Sequence, residues 1–148
     1  MFQFNGDNIC IAAPPNAGMI PPGMLDIVKR GAKIIEDSIV GDKNCDAIFQ
    51  ALPKGKSITD LFRAGINVHY DPSNDGQLWG WTMPASYPTD VVISQFTIRM
   101  GHWSIAGTIV HEMAHLAGAD GTSHAAENTL QACKLKSIKG PYDPKIRG

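Results

Sequence analysis

The segment from Ser104 to Gly118 constrains the fold of this chain more than any other part of its sequence. Its apolar residues recur at helical spacing, Ser104 can cap the start of a helix, and Gly118 can end it. The apolar positions that share one face are Ala106, Ile109, Val110, Met113 and Ala117. His111 and His115 lie one turn apart on the other side, so both imidazoles point the same way. The segment therefore predicts a core-facing helix that presents two histidines together.

The string His111-Glu112-Met113-Ala114-His115 has the spacing HExxH, which suits one metal ion. One turn of helix lets two imidazole nitrogens reach a zinc ion at about 2.0–2.1 Å. Glu112 follows His111 directly, so it lies too far round the helix to be a ligand but close to a metal-bound water. Zinc lowers the pKa of such a water, and a nearby carboxylate can take its proton while a polarised carbonyl is attacked. The pattern predicts zinc-dependent hydrolysis with Glu112 as general base.

A third ligand is expected downstream, because a catalytic zinc usually takes three protein ligands and one water. The candidates after the helix are Asp120, His124 and Glu127. Asp120 follows the helix end by only two residues, whereas Gly121 permits a tight reversal that would bring His124 back to the ion. We therefore expect His124 to be the third ligand, with Asp120 and Glu127 as alternatives. Glu127 could instead hold an imidazole in one tautomer.

The stretch from His111 to His124 resembles the active site of the aspzincins, the deuterolysin-type family of zincin metallopeptidases. In that family HExxH is followed by Gly-Thr-x-Asp, and the Asp is the third zinc ligand. Here Gly121-Thr122-Ser123 falls in the same register, and His124 stands in place of the Asp. The resemblance implies a zinc site formed by His111, Glu112, His115 and His124. It also implies that the substrate lies as an extra strand along an exposed sheet edge.

The chain departs from the family where the family carries a tyrosine that stabilises the transition state. Glu127 and Asn128 occupy the positions of its Tyr-Gly pair. Another hydrogen-bond donor would then have to stabilise the oxyanion, an interaction worth a few kcal/mol. The available donors are Tyr70, Tyr87, His69 and His102, of which Tyr87 and His102 are favoured. Trp79 and Trp81 could line a substrate subsite, although core packing is the commoner role of such a pair.

The expected fold class is α+β, because a helical first half is followed by strands and then by further helices. Helices are predicted over 24–40, 45–52, 57–64, 104–117 and 124–136, and strands over 66–70, 78–83 and 90–98. We expect one domain over residues 1–148, with 1–23 as an extended lead-in and 137–148 as an irregular tail. The resemblance adds that this domain is zincin-like, with N-terminal helices, a small sheet, an active-site helix and a C-terminal helix.

The net charge limits which classes of partner are expected, and the three cysteines limit which disulfides can form. The formal net charge is −1, the pI is near 6.5, and no stripe of Lys or Arg is present, so neither nucleic acid nor a membrane is an expected partner. Cys10, Cys45 and Cys133 allow one disulfide plus one thiol, or three thiols. The usual burial of free cysteine favours three core thiols. No CxxC spacing indicates a cysteine-ligated metal.

The function expected from these observations is zinc-dependent hydrolysis of a protein or peptide substrate. One alternative keeps the zinc but acts on the peptides of bacterial cell wall, and another is a zincin-shaped binding module without turnover. The N-terminal residues lack the pattern of a signal peptide. The size suits a passenger domain that is secreted or delivered as an effector, for which a carrier protein and a cognate inhibitor would be further partners. No oligomeric state is predicted.

Overall fold

Helices packed on a twisted sheet give the chain a mixed α+β fold. The computed structural model describes residues 1–121 and 124–135. In these residues the strands are β1 (Phe2–Phe4), β2 (Ile66–Asp71), β3 (Gly80–Met83) and β4 (Tyr87–Ser94). The helices in the same residues are α1 (Leu25–Ser38), α2 (Lys43–Gln50), α3 (Ile58–Ala64), α4 (Gln95–Met100), α5 (His102–Leu116) and α6 (Ala125–Ala132). The α+β class predicted from the sequence is thereby confirmed.

The sheet has the strand order β1-β2-β4-β3 among the described residues, so β1 and β3 form its edges. β1, β2 and β4 run parallel, whereas β3 runs antiparallel to β4. Val68 of β2 pairs with Val91 of β4, and both are fully buried. Helix α5 packs against β3, β4 and α1, so the antiparallel edge of the sheet lies beside the helix that carries the HExxH string.

Helices α1 and α5 approach each other closely in the core. A Cβ atom on Gly31 would lie 2.5 Å from Cγ2 of Ile105 and 2.9 Å from the carbonyl oxygen of His102. Only glycine permits this approach, because real side-chain carbons do not come that near. The contact seats α5 deep in the fold, and nearly every residue from Ser104 to Leu116 is buried.

The structure confirms most predicted elements and changes several boundaries. Ser57 caps α3, and its hydroxyl accepts a hydrogen bond from the Asp60 N–H at 3.0 Å. The predicted strand over 90–98 was wrong at its end, because Ser94 caps the separate helix α4. Phe2–Phe4 form β1 inside what was predicted to be an extended lead-in. Helix α5 begins at His102, two residues before the predicted cap, and α6 ends earlier than predicted. The predicted tail over 137–148 lies outside the described residues.

A disulfide joins helix α2 to the residue that follows helix α6. Cys45 of α2 is bonded to Cys133, the residue that follows α6, across 88 residues of sequence. Cys10 is the remaining cysteine, and it is exposed. The interpretation that favoured three core thiols was therefore wrong, and the alternative of one disulfide plus one thiol is what the structure shows. Within the described residues, no helix combines the length and the apolar character that crossing a membrane requires.

Candidate metal centre

Helix α5 brings the two predicted histidine ligands together on one side. His111 is almost completely buried and His115 is half-buried. The two Nε2 atoms lie 3.1 Å apart, and the ring centroids are 4.8 Å apart with the rings inclined at 72°. This convergence follows from the four-residue spacing, because residues one turn apart share a helix face. The pair therefore offers two imidazole nitrogens to a single point.

The turn that ends α5 fixes the tautomer of His115. Gly118 adopts a positive φ of 103°, and its N–H donates to the His115 carbonyl while the Ala119 N–H donates to the Ala114 carbonyl. These two bonds form a Schellman motif, for which glycine is the preferred residue. The motif places the Ala119 carbonyl oxygen 2.8 Å from Nδ1 of His115. A carbonyl only accepts, so Nδ1 carries the proton and Nε2 keeps a lone pair, as a metal-bound imidazole needs.

Glu112 is a buried carboxyl with an unusual environment. It is fully buried, and across residues 1–121 and 124–135 neither carboxylate oxygen has a hydrogen-bond partner of normal geometry. Burial raises the pKa of Glu112 well above its ordinary value, the charge of Glu127 raises it further, and the nearby Thr82 hydroxyl lowers it slightly. Leaving such a group without partners is costly, which is typical of functional rather than structural positions.

Strand β3 comes close to Glu112 because it begins with glycine. A Cβ on Gly80 would lie 2.6 Å from Cγ2 of Thr108, 2.7 Å from the Val92 carbonyl oxygen and 3.5 Å from Cγ of Glu112. The edge strand can therefore pack directly on the HExxH turn of α5. The sequence interpretation did not single out Gly80 or Thr82, and an isolated glycine in a strand, which often marks a close backbone approach, was the available signal.

An open groove of about 340 Å³ runs past His115 between the edge strand and the end of α5. Its lining residues are Trp81, Thr82, Pro84, His115, Ala119 and Gly121. The Trp81 indole N–H donates to the Asp71 carboxylate at 2.8 Å, which fixes the ring at the rim. Trp79 is buried in the core instead. Of the two tryptophans considered for a subsite, the structure thus places only Trp81 beside the groove.

The predicted third ligand, His124, does not lie with the other two histidines. Its side chain is 73% exposed, and its backbone is left-handed, with φ 57°. Its Nδ1 is 3.9 Å from Oε2 of Glu127, a long contact. In the described part of the chain, no group of three histidine, cysteine or carboxylate side chains is arranged so as to hold a metal. The structure therefore brings together His111, Glu112 and His115 but not His124.

The four candidate oxyanion donors occupy very different places. His102 is the first residue of α5, nine residues before His111 and about 14 Å away along the helix axis. His69 is buried against Asp90, and the Tyr70 hydroxyl is 2.7 Å from the Gln95 amide. Tyr87 pairs with Met83 across the β3–β4 hairpin, whose strand β3 lines the groove. Neither Tyr87 nor its partner Met83 is among the residues that line the groove, so the structure does not bring any of the four to the histidine pair.

Helix α5 supplies two of the three protein ligands that a catalytic zinc ion usually takes. Two imidazoles converge, the tautomer of His115 is fixed for metal binding, and the buried oxygens of Glu112 face no hydrogen-bond donor of normal geometry among the residues described. Asp120 follows the turn that ends α5 and is exposed.

Comparison with known proteins yields no relative: no protein-family model, no curated protein and no solved structure matches this chain.

Proposed function

We propose that this chain is a zinc-dependent metallopeptidase with a zincin-like arrangement of its active site. The observation that carries the proposal is the pair of imidazoles on α5, whose Nε2 atoms lie 3.1 Å apart beside a fully buried carboxyl. A structural role would leave the Glu112 carboxylate satisfied by hydrogen bonds, as buried polar groups usually are, whereas neither of its oxygens has a partner of normal geometry among the described residues. A metal-dependent hydrolase needs this set of residues at this spacing.

His111 and His115 would hold the ion through Nε2, and His124 is the third ligand expected from the sequence. The bound zinc would supply Lewis acidity, which activates water and polarises the scissile carbonyl. Ala119 orients His115 from behind through its carbonyl oxygen. Because this hydrogen bond comes from the turn that ends α5, the backbone itself prepares one ligand for binding.

Glu112 would act as the general base and then as the general acid. Its carboxylate accepts a proton from the attacking water and passes it to the amine that leaves when the peptide C–N bond breaks. Its position on α5, directly after His111, keeps it next to the reacting atoms without making it a ligand. Burial excludes bulk water, so the proton goes to the leaving group rather than to solvent.

The groove beside β3 suits a polypeptide substrate. β3 is an edge strand of the described sheet, and an extended peptide can pair with the backbone of such an edge. Trp81 and Pro84 offer apolar surface in the same groove, while Thr82 and His115 provide polar groups. Pairing through the backbone would give affinity for many sequences, and the tryptophan would select at one position.

The Cys45–Cys133 disulfide supports the expectation that the protein works outside a reducing cytosol. Disulfides form and persist in secreted and periplasmic proteins and are rare where thiols are kept reduced. The bond joins α2 to the residue after α6, so it is part of the folded core rather than an exposed link. A secreted or delivered peptidase would be oxidised in this way.

The test combines metal analysis with a cleavage screen on the purified chain. We expect about one zinc per chain, cleavage of casein, loss of cleavage with a chelator, and recovery when zinc is added back. His111→Ala should remove both zinc and activity, whereas His102→Ala on the same helix should change neither. Cleavage of peptidoglycan peptides but not casein would reassign the substrate. Zinc binding without cleavage of either would leave a binding module, and no zinc at all would refute the proposal.

A further inference from the structure

We propose that the Cys45–Cys133 disulfide is a site of thiol exchange, and that its reduction releases helix α6 from the rest of the fold. The reagent would be a small thiol or dithiol that reaches Cys133 through a cleft between α1, α5 and the end of α6. The inference goes beyond the proposed function, because it concerns a different part of the molecule and a different chemistry.

A cleft of about 240 Å³ lies beside Cys133. One water molecule takes about 30 Å³ of liquid, so a cleft of this size has room for a molecule of several heavy atoms. Its lining includes the apolar side chains of Ile34, Trp103 and Leu135, and Trp103 is partly exposed to solvent. Of the two bonded cysteines, Cys133 is the one that lines the cleft among the described residues. A thiol that enters would therefore meet the sulfur of Cys133 first.

Helix α6 depends on the disulfide because its own structure is weakly stabilised. It has eight residues, fewer than an isolated helix needs to be stable in water. The residue before it, His124, has a left-handed backbone and provides no side-chain cap. Its buried residues are Ala126, Thr129 and Leu130, and the Thr129 hydroxyl donates to the Ala126 carbonyl within the same helix. Packing on α5 and α2 and the bond at Cys133 therefore keep α6 in place.

The other half of the disulfide is held without the bond. The Asp42 carboxylate caps α2 and accepts a hydrogen bond from the Cys45 N–H at 2.8 Å. The Asp46 carboxylate accepts from the N–H of Thr59 at 3.0 Å and from its hydroxyl at 2.8 Å, which joins α2 to α3. Breaking the disulfide would therefore leave α2 in place and free the end of α6.

Helix α5 also has contacts that do not involve α6. It approaches α1 closely at Gly31, and it packs on β3, β4 and α4. We therefore expect the release of α6 to be a local change that uncovers the surface of α5 on which α6 packs.

The exchange balances as two displacements at sulfur. A thiolate in the cleft attacks Sγ of Cys133, the disulfide breaks, and its electron pair leaves on Sγ of Cys45, which takes a proton from water. Cys133 then carries a mixed disulfide with the reagent. The second thiol of a dithiol displaces Cys133 from it, so the protein is reduced to two thiols and the reagent is oxidised to a disulfide.

The first test asks which sulfur is attacked, in a Cys10→Ser background that removes the exposed free thiol. The folded protein is treated with 2-mercaptoethanol, free thiols are blocked with iodoacetamide, and mass spectrometry locates each adduct. We expect the mixed disulfide on Cys133 and the blocking group on Cys45. A mixed disulfide mainly on Cys45, or none on either cysteine, would overturn the inference.

A substitution in the cleft tests the route of entry. Ser38 lines the cleft at the end of α1, so Ser38→Trp should narrow it and slow reduction by dithiothreitol severalfold. Ser86→Trp is the matched control, because Ser86 is exposed on the β3–β4 hairpin and should not affect the rate. Equal rates in the two variants would contradict entry through this cleft.

Hydrogen exchange measures what reduction releases. In dithiothreitol, the amides of α6 should lose protection by about 100-fold, the scale on which one disulfide stabilises a fold. The amides of α5 should keep theirs within about 10-fold, as expected of a local opening. Cys45→Ala combined with Cys133→Ala should give the same pattern without reagent, and the reduced Cys10→Ser protein decides if that variant does not fold. Equal loss in both helices, or no loss in either, would overturn the inference.

Discussion

Two buried histidine sites in this protein use the same residue type in opposite ways. On β2, Nε2 of His69 lies 2.6 Å from the Asp90 carboxylate, and Nδ1 lies 3.1 Å from the Asn5 side-chain amide. On α5, His111 and His115 turn their Nε2 atoms toward each other, and the oxygens of the adjacent glutamate find no hydrogen bond of normal geometry in the part of the chain described. The first site is complete within the protein. In the second site, the carboxylate of Glu112 has no such partner among the described residues, as is expected of a site that binds a ligand.

The His69 site shows how a structural histidine is satisfied. The Asn5 side-chain oxygen accepts a hydrogen bond from the Ile11 N–H at 2.9 Å, so the amide nitrogen of Asn5 faces His69. Nδ1 of His69 must then accept, and Nε2 donates to Asp90. Asn67 adds a further donor to the same carboxylate at 3.2 Å. Every strong donor and acceptor is used, which leaves no lone pair for a metal.

The sheet keeps the two sites apart. Alternate residues of a strand face opposite sides, so Asp90 and Ile93 of β4 lie on different faces. Ile93 is paired with Gly80, whose missing Cβ faces α5 and Glu112. The His69–Asp90 pair therefore lies on the face away from α5. One face of the sheet carries a closed polar network, and the other carries the candidate metal centre.

The largest expected effect comes from Glu112→Gln, which removes the base but preserves the shape of the site. We expect hydrolysis to fall about 10³-fold, the scale of general base catalysis, while zinc content stays unchanged. The measurement is the rate of peptide cleavage beside metal analysis of the same sample. Glu36→Gln on α1 is the matched control. A Glu112→Gln variant that cleaves at the wild-type rate would remove the assigned mechanism.

The second prediction concerns the other site, the pair formed by His69 and Asp90. Asp90→Ala should lower the free energy of unfolding by about 3 kcal/mol, because it leaves the buried His69 without the carboxylate that accepts its proton. Urea denaturation measures the loss. Zinc affinity should hardly change, since the pair lies on the other face of the sheet. A variant that keeps its stability but loses zinc would show that the two sites have been assigned the wrong way round.

How well the sequence predicts each site depends on whether the residues in contact are close together or far apart along the chain. The pair on α5 is local, since one turn of helix brings His111 and His115 together, and periodicity alone located both. The His69–Asp90 pair depends on the register between β2 and β4, so it could not be seen before the strands were aligned. β1 was missed because three residues are too short to show alternation, and α4 because its cap lies inside an apolar run.

The placement of the third ligand shows the same limit. The spacing after Gly118 suggested that a reversal at Gly121 would return His124 to the ion. In the structure the His124 side chain is 73% exposed, at the start of a helix that packs on α5 and is followed by the Cys45–Cys133 bond. Neither the packing nor the bond is a local property of the sequence. The sequence supplied the candidates Asp120, His124 and Glu127, and local spacing alone does not decide which of them reaches the ion.

A smaller effect should come from Gly80→Ala, which tests how closely β3 must approach the metal centre. The added methyl group would meet Thr108 and the Val92 carbonyl, so we expect a loss of about 2 kcal/mol in the free energy of unfolding. Activity should fall as well, because the strand would shift away from Glu112. Gly23→Ala is the control, since nothing lies within 4 Å of its added carbon. Equal stability of both variants would contradict the close contact.

The smallest effect concerns the pH dependence of stability in the metal-free protein. Burial and the charge of Glu127 raise the pKa of folded Glu112 above its ordinary value of 4.5, so the folded state holds this proton to a higher pH than the unfolded chain does. The contribution of Glu112 to stability is therefore best below about pH 4.5, and it falls as the pH rises through the raised pKa. Glu112→Gln removes this loss.

Metal-free Glu112→Gln should consequently be more stable than the wild type at neutral pH, by about 1 kcal/mol, the scale of ordinary stabilising substitutions. The difference should shrink toward zero near pH 4, and chemical denaturation at several pH values measures it. Adding zinc should reduce the advantage, because a cation beside the carboxylate favours its charged form. An advantage that does not change with pH would mean that the buried Glu112 carboxyl is not protonated in the folded state. Glu112 and Asp90 would then not differ in the way that the comparison of the two sites requires.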